Sequence, residues 1–171
     1  MIKRFLLLIL ITIIANPVFA DAFNHPKELS YISTQIPKLN SINCRFKQEK
    51  YLPNSNVTLH SGGNFNFTKN VGVTFYTTYP IKSTTSYTNK EYKQINSVIN
   101  AISNKSYSRL EKDFKFYYVK NSSSWDLGLI PQSKSKSAQY LKSIEIWGDK
   151  DISQIVITTK DATKTTIHFI K

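Results

Sequence analysis

The chain has 171 residues, of which 40% are hydrophobic, 13% aromatic and 20% charged. This length suits one domain with its own core, and the aromatic content excludes a disordered chain. Lys and Arg number 23 against 11 Asp and Glu, so the formal net charge is +12. The single Cys can neither form an internal disulfide nor supply a cysteine-based zinc site. Composition therefore predicts a basic, β-rich globular protein without disulfides.

Residues 1–20 have the pattern of a secretory signal peptide. Two basic residues precede an apolar run, and residues 18–20 form a small-residue cleavage site of the V-x-A kind. The run is about a dozen residues long, shorter than the roughly 20 that a membrane-spanning helix needs. An exported protein without disulfides fits a bacterial periplasm. We therefore expect a periplasmic protein whose mature domain is residues 21–171.

The first part of the mature chain predicts one helix followed by four strands. Apolar residues have helical spacing within residues 27–39, where Pro37 is expected to bend or end the helix. Turns are expected at residues 61–63 and 69–70, and a polar strand at residues 81–88. Alternation typical of strands involves Phe46, Phe65, Phe67, Val71, Val73 and Phe75.

The second part predicts a helical insert followed by five strands. The clearest amphipathic helix carries Ile95, Val98, Ile99 and Ile102, at positions i, i+3, i+4 and i+7. A short helix is expected around Leu110. The five strands are expected within residues 114–119, 125–129, 144–147, 152–159 and 165–170.

This order of elements predicts a mostly β fold. Long antiparallel runs are typical of a sandwich, a barrel or a curved open sheet. The inserted helix must place its apolar face on something, and the concave surface of the sheet is the nearest candidate. No internal repeat or linker divides the mature chain, which indicates a single domain.

No residue pattern indicates catalysis or a metal site. His25, His60 and His168 are isolated in sequence, and nucleophile, phosphate-binding and dinucleotide motifs are absent. Cys44 is expected to be a small buried hydrophobe. The acidic residues, Asp126 and Glu145 among them, fall mostly at predicted strand ends or turns, where a carboxylate pair stays open as an alternative. We therefore expect no enzyme activity, no cofactor and no metal.

Four short motifs occur in an order that resembles a known family. They are F-x-Q at residues 46–48, S-x-G-x-F-x-F at residues 61–67, an aromatic-Pro pair at Tyr79-Pro80, and W-x-L-x-L-x-P at residues 125–131. Over about residues 29–169 the chain resembles the LolA-type outer-membrane lipoprotein carriers. The resemblance implies an incomplete antiparallel β-barrel, covered by short helices that act as a lid over an apolar cavity.

The resemblance also implies a function and a set of partners. Such carriers shelter the acyl chains of lipoproteins during transfer across the periplasm toward the outer membrane, without a metal or nucleotide of their own. The implied partners are acylated lipoprotein or lipid cargo, an inner-membrane loading complex and an outer-membrane acceptor. Nucleic acid is not expected as a partner, and the protein is expected to be a monomer.

The same resemblance assigns site residues. The acyl-chain cavity is expected to be lined by Phe46, Phe65, Phe67, Val73, Phe75, Phe114, Phe116, Trp125 and Leu127. The lid face is expected to be Ile95, Val98, Ile99 and Ile102. Lys69 is the candidate lid latch, because it aligns with the arginine that is thought to hold the family's lid closed. Lysine lacks the two-pronged guanidinium, so latching is expected to be weaker or differently organised.

Two alternatives remain beside the carrier hypothesis. The best-known carriers continue past the strand matched by residues 165–170, so this chain is also compatible with a LolA-like accessory that carries another lipid, such as a polyene or glycolipid precursor. The scattered lysines are compatible with a module that binds a polyanion or an anionic membrane surface. Binding by such a module should weaken steeply with salt, whereas cavity binding of acyl chains should not.

Overall fold

A computed structural model of the chain describes residues 21–39, 41–69, 71–86 and 90–171. Its α-helices are α1 (Leu29–Gln35), α2 (Lys90–Asn104) and α3 (Ser108–Glu111). Helix α1 is shorter than the pattern over 27–39 predicts. It ends before Ile36, whose backbone is extended (φ −77°, ψ 131°), because a residue that precedes proline is disfavoured in helical geometry.

The strands follow the predicted order, with four before the helical insert and five after it. They are β1 (Ile42–Leu52), β2 (Val57–Thr68), β3 (Gly72–Tyr79), β4 (Ser83–Ser86), β5 (Phe114–Asn121), β6 (Ser124–Pro131), β7 (Leu141–Gly148), β8 (Ile152–Thr159) and β9 (Lys164–Ile170). The prediction of a polar strand over 81–88 is confirmed at β4, and residues 87–88 lie outside the described residues.

All nine strands form one antiparallel open sheet in the order β4-β3-β2-β1-β9-β8-β7-β6-β5. The chain therefore makes two runs of neighbouring strands, β1 to β4 and β5 to β9. The pairing of β1 with β9 joins these runs, with Phe46 opposite Phe169 and Gln48 opposite Ile167. Strands from the two ends of the sequence thus lie side by side at the centre of the sheet.

The turn expected at Ser61-Gly62-Gly63 is wrong. These residues lie inside β2, and the β1–β2 turn is formed by residues 53–56. The glycines instead mark an irregularity, since the β2–β3 register shifts between Gly62 and Gly63. A Cβ at Gly63 would collide with the backbone of Tyr76. Glycine here permits a bulge with close backbone approach rather than a chain reversal.

The core lies on the inner face of the sheet, defined by alternate residues such as Phe65, Phe75 and Leu127 that are buried together with α2. The Phe65 and Phe75 ring centroids lie 5.0 Å apart, and those of Phe65 and Phe169 lie 4.6 Å apart. Each large side chain buried there contributes about 1.5–3 kcal/mol. Packing across the β1–β9 junction therefore joins both runs of strands into one core.

Helix α2 packs on this inner face through the predicted apolar residues, Ile95, Val98, Ile99 and Ile102, which are all almost fully buried. The Val73 backbone N–H donates to Asn96 Oδ1 at 3.2 Å, which ties α2 to β3. Ser103 Oγ donates to the Leu39 carbonyl at 2.9 Å, which ties the end of α2 to the segment after α1.

The first described residues extend the sheet at its β5 edge. Pro26 forms a bridge with Tyr117, and the Tyr118 N–H donates to the His25 carbonyl at 3.0 Å. Residues 22–24, which precede this bridge in sequence, form a single 3-10 turn on the outer face of the sheet, opposite the core. There the Phe23 and Tyr117 rings meet edge to face with centroids 5.7 Å apart. The N-terminal segment therefore covers both an edge and part of a face.

Candidate functional site

A cavity of about 1070 Å³ opens between α2 and the inner face of the sheet. Its volume is at the upper end of the ~300–1,000 Å³ that is usual for small-molecule sites. The lining residues are Lys50, Leu52, Gln94, Lys136, Gln139, Tyr140, Leu141, Ile144, Ile157, Thr159, Lys160, Asp161, Thr163 and Thr165. Strands β1, β7, β8 and β9 supply half of them, so the cavity straddles the junction of the two runs of strands.

The floor of this cavity is apolar because it consists of inner-face positions of neighbouring strands. Ile144 in β7 lies directly opposite Ile157 in β8, and Ile157 lies opposite Thr165 in β9. Leu52 contributes from the end of β1. Alternation along each strand sends these side chains to one face, so apolar surface gathers where α2 does not reach.

The rim of the cavity is basic. Lys50, Lys136 and Lys160 line it together with the single acid Asp161. The Thr159 hydroxyl and the Thr163 backbone N–H hold the pKa of the Asp161 carboxyl below its usual range. The carboxylate therefore stays ionised and engaged with its own turn. The rim carries a surplus of positive charge above an apolar floor, which suits a ligand with an apolar chain and an anionic or polar head.

A side-chain hydrogen bond crosses the mouth of the cavity between helix and sheet. Gln94 Nε2 on α2 donates to Tyr140 Oη at 3.1 Å, and both residues line the cavity. The Lys160 backbone N–H donates to the Tyr140 carbonyl at 2.9 Å, so Tyr140 is held to the β8–β9 turn. Rupture of the Gln94–Tyr140 contact would separate α2 from this side of the mouth.

A second pocket of about 420 Å³ adjoins the cavity and is strongly basic. Its lining includes Lys93, Lys112 and Lys134, and it shares Gln94 and Lys136 with the cavity. A single ligand could therefore place an apolar part in the cavity and an anionic part in this pocket.

The predicted cavity residues lie in the closed core rather than around this open cavity. All nine, from Phe46 to Leu127 in sequence, are buried in the cluster that also holds the four predicted lid residues of α2. Phe46 also borders a separate groove of about 580 Å³, which Gly62 and Tyr79 line as well. Their assignment to an acyl-chain site therefore requires that α2 move away from the sheet.

The candidate latch Lys69 lies in the β2–β3 turn, and no hydrogen bond or ion pair joins it to a described residue. A different lysine links two helices. Lys105 Nζ, just after α2, donates to the Ser33 carbonyl at 2.9 Å and to the Ile36 carbonyl at the end of α1. Burial, and then the charge of Lys38, lower the pKa of the Lys105 ammonium.

The sequence offered one indirect signal for Lys105, its position immediately after the predicted helix. Lysines near a helix end commonly bind carbonyls of that same helix. Lys105 has a left-handed backbone (φ 54°) and reaches the carbonyls of α1 instead. Which carbonyls Lys105 contacts depends on how α1 and α2 pack together, and the local sequence pattern does not predict that packing.

Two buried hydroxyl groups also lie within the core. The oxygens of Tyr107 and Tyr118 are buried without a hydrogen-bond partner in the described part of the chain. Burial raises the pKa of each phenol to about 12, with smaller contributions from Tyr118 at Tyr107 and from Tyr31 at Tyr118. These two buried hydroxyl groups are therefore free to donate a hydrogen bond to a ligand that carries an acceptor.

The expectation that Asp126 sits at a strand end is wrong. It lies within β6 on the outer face, and it is 1% exposed beneath the N-terminal segment. Glu145 in β7 is the neighbouring carboxyl. Burial first, and then the charge of Glu145, raise the pKa of Asp126 to about 8. In the sequence, the apolar neighbours Trp125 and Leu127 indicate only that the inner face of β6 is buried. They give no sign that Asp126, on the outer face, is buried as well.

The remaining candidate residues show no assembled chemistry. His25, His60 and His168 are exposed, as expected for surface residues, and His60 Nδ1 lies 3.8 Å from a Glu49 carboxylate oxygen. Cys44 is buried, and its burial raises the pKa of the thiol. Across residues 21–171, apart from the few positions not described, no three His, Cys, Asp or Glu side chains cluster to hold a metal ion.

Comparison of the chain with protein-family models and with curated proteins gives no match. Among the described helices, none is both long enough and apolar enough to cross a bilayer.

Proposed function

We propose that the protein is a periplasmic carrier that shelters the acyl chains of lipoproteins for transfer toward the outer membrane, in the manner of the LolA-type family. In this proposal the open sheet is an incomplete barrel, and α1 and α2 form its lid. The observation that carries the proposal is the open cavity, because it combines an apolar floor from Leu52, Ile144 and Ile157 with a basic rim.

The energetics of acyl chains explain why such a cavity is useful. Exposure of a chain of some sixteen methylenes to water costs about 13 kcal/mol, at roughly 0.8 kcal/mol per CH₂. A triacylated protein would therefore stay in its membrane unless a carrier offered comparable apolar area. The lid residues of α2, such as Val98 and Ile99, already bury such area in the core, so acyl chains can exchange for the lid at small net cost.

The mouth suits reversible opening. Gln94 and Tyr140 close it with one exposed hydrogen bond, which contributes about 0.5–1.5 kcal/mol. A contact of that size holds the resting state and yields to a ligand with only a few-fold preference for the open state.

A second candidate function is a LolA-like accessory that carries a lipid with an anionic head. The specific observation in its favour is the basic pocket with Lys93, Lys112 and Lys134, which shares a wall with the cavity. Lipoprotein acyl chains need no such pocket, whereas a phosphorylated or acidic headgroup would be attracted to it. The identity of the bound lipid distinguishes the two functions.

The test is native mass spectrometry of chain 21–171 purified from a periplasm without detergent, followed by organic extraction of the bound material. The carrier proposal predicts a near-stoichiometric acylated species. An acylated peptide fragment would favour the lipoprotein carrier, and an anionic lipid would favour the accessory. A protein that has no acylated species and does not bind a fluorescent fatty-acyl probe would contradict both.

A matched pair of variants locates the binding site. Leu52→Glu places a carboxylate on the cavity floor, whereas Leu59→Glu makes the same change at a residue that is 51% exposed and outside the cavity lining. We expect Leu52→Glu to weaken binding of a fatty-acyl probe at least tenfold, because a charge desolvated by the chain is costly. Leu59→Glu should leave binding within about twofold. Equal effects of the two changes would place the acyl chain elsewhere.

A further inference from the structure

We propose that the α-ammonium group created at Asp21 by cleavage after Ala20 binds the buried carboxyl groups of Asp126 and Glu145. The N-terminal segment, residues 21–27, would then gain over the outer face an ion pair that the unprocessed chain cannot form. This inference concerns a different face of the sheet from the cavity, and it rests on the expected cleavage site rather than on the carrier function.

The first observation is a buried acid without a cationic partner among the described residues. Asp126 is 1% exposed, neither carboxylate oxygen has a hydrogen bond of normal geometry, and its close neighbours are the Glu145 carboxyl and the Ala22 backbone N–H. In the β6–β7 register Asp126 pairs with Trp147, and Gly128 pairs with Glu145. Glu145 is therefore the diagonal neighbour of Asp126 on the same outer face. Two carboxyl groups therefore share one buried site. Such a pair stays ionised only when a nearby cation compensates its negative charge.

The second observation is the cover above these acids. Ala22 is fully buried, and a Cβ at Gly128 would lie 2.7 Å from Phe23 Cε1. The Phe23 ring therefore rests on the backbone of β6 beside Asp126, where only glycine leaves room. The segment that begins at Asp21 is seated directly over the carboxyl pair, although no hydrogen bond from a described side chain holds it to those acids.

The charges around the pair leave a cation missing. Burial, Glu145 and Asp21 all raise the pKa of Asp126, to about 8, and only the Ala22 backbone N–H opposes them. Burial also raises the pKa of Glu145, against the opposing effects of Asp126 and of Lys164 on β9. Among the described residues, Lys164 is thus the basic side chain that acts on the pair, and it acts on the Glu145 side.

The nitrogen of Asp21 lies one residue before an N–H that acts on Asp126. The Ala22 N–H already lies close enough to favour the ionised form of Asp126, and the Asp21 nitrogen precedes it by one residue, at most about 3.6 Å along the chain. In the precursor that nitrogen is an uncharged amide to Ala20. After hydrolysis of this peptide bond it is an amine of pKa about 7.7–8.0 that takes up a proton and offers three donors.

The experiment is a double-mutant cycle between the amino group and the acid. Chain 21–171, which contains every described residue, is prepared with a free Asp21 amine and with that amine acetylated. Each form is prepared with and without Asp126→Asn, and urea unfolding is measured at pH 7. We expect acetylation to lower the folding equilibrium constant at least tenfold in the parent chain and less than threefold in Asp126→Asn. The exposed acid Asp113 provides the control Asp113→Asn, in which acetylation should keep its full effect.

A second measurement keeps the proposal testable if Asp126→Asn fails to fold. The pKa of the ¹⁵N-labelled α-amine of the parent chain is followed by NMR, and pairing predicts a value at least one unit above the 7.7–8.0 of a free terminus. An α-amine that titrates in the ordinary range would overturn the proposal, as would an acetylation effect of the same size in the parent and in Asp126→Asn.

Discussion

Gln94 on α2 donates a hydrogen bond to the Tyr140 hydroxyl at 3.1 Å across the mouth of the cavity. This contact joins the helix between the two runs of strands to the segment just before β7. It is exposed, so water can replace either partner at little cost. The contact therefore narrows the mouth of the cavity without fixing α2 there permanently.

Removal of the Tyr140 hydroxyl should speed ligand entry. Tyr140→Phe keeps the ring and loses the contact, and we expect the association rate of a fatty-acyl probe to rise about two- to tenfold, as a loss of about 0.5–1.5 kcal/mol from the closed state predicts. Stopped-flow fluorescence measures the rate. Tyr76→Phe, on an exposed tyrosine of β3, is the matched control, and equal rates in the two variants would show that this contact does not gate entry.

Substitutions at Lys69 and at Lys105 distinguish the two candidate latches. Lys105→Met removes the bonds to the Ser33 and Ile36 carbonyls, and we expect a loss of about 1.5–3 kcal/mol, as is typical of hydrogen bonds to charged groups, with faster amide hydrogen exchange in α1. Lys69→Met should change neither quantity if Lys105 is the latch. Faster exchange in α2 of Lys69→Met would instead support the assignment of the latch to Lys69.

The buried phenols predict an unusual response to Tyr→Phe substitution. Tyr107→Phe and Tyr118→Phe each remove a hydroxyl without a described partner, so we expect the free energy of unfolding to stay the same or to rise by up to about 1 kcal/mol. Urea titration measures it. If an acyl ester occupies the core when α2 opens, the same variants should bind cargo more weakly. A loss of stability above 1 kcal/mol would mean that these hydroxyls are satisfied within the protein.

The Asp126 carboxyl predicts a pH dependence of stability in a chain whose Asp21 amine is blocked. Its pKa is about 8 in the folded protein and about 3.9 in the unfolded chain. Between these values the folded state binds more protons, so the free energy of unfolding should fall as pH rises from about 4 to about 8. Asp126→Asn should flatten this fall, and chemical denaturation at pH 4, 6 and 8 measures it. A parent and variant with parallel profiles would contradict the raised pKa.

Much of the fold could be predicted because periodicity reports which face of an element is buried. The helical spacing of Ile95, Val98, Ile99 and Ile102 placed α2 with its buried face, and Pro37 indicated where α1 must end. The glycines at 62 and 63 were misread as a turn, because a bulge and a turn use the same freedom from a side chain. The local sequence pattern thus predicted most of the helices and strands. It did not predict what individual residues such as Gly62 and Gly63 do within them.

The sequence by itself determined a basic, mostly β protein with a helical insert whose apolar face must be covered. Only the tertiary structure decided where the cavity lies, because a cavity is the space left after packing, and the pairing of β1 with β9 is what brings Leu52 to the Ile144–Ile157 pair of β7 and β8. The same holds for the outer face. Asp126 and the segment that begins at Asp21 are over a hundred residues apart, and no local pattern relates two groups that only a folded chain brings together.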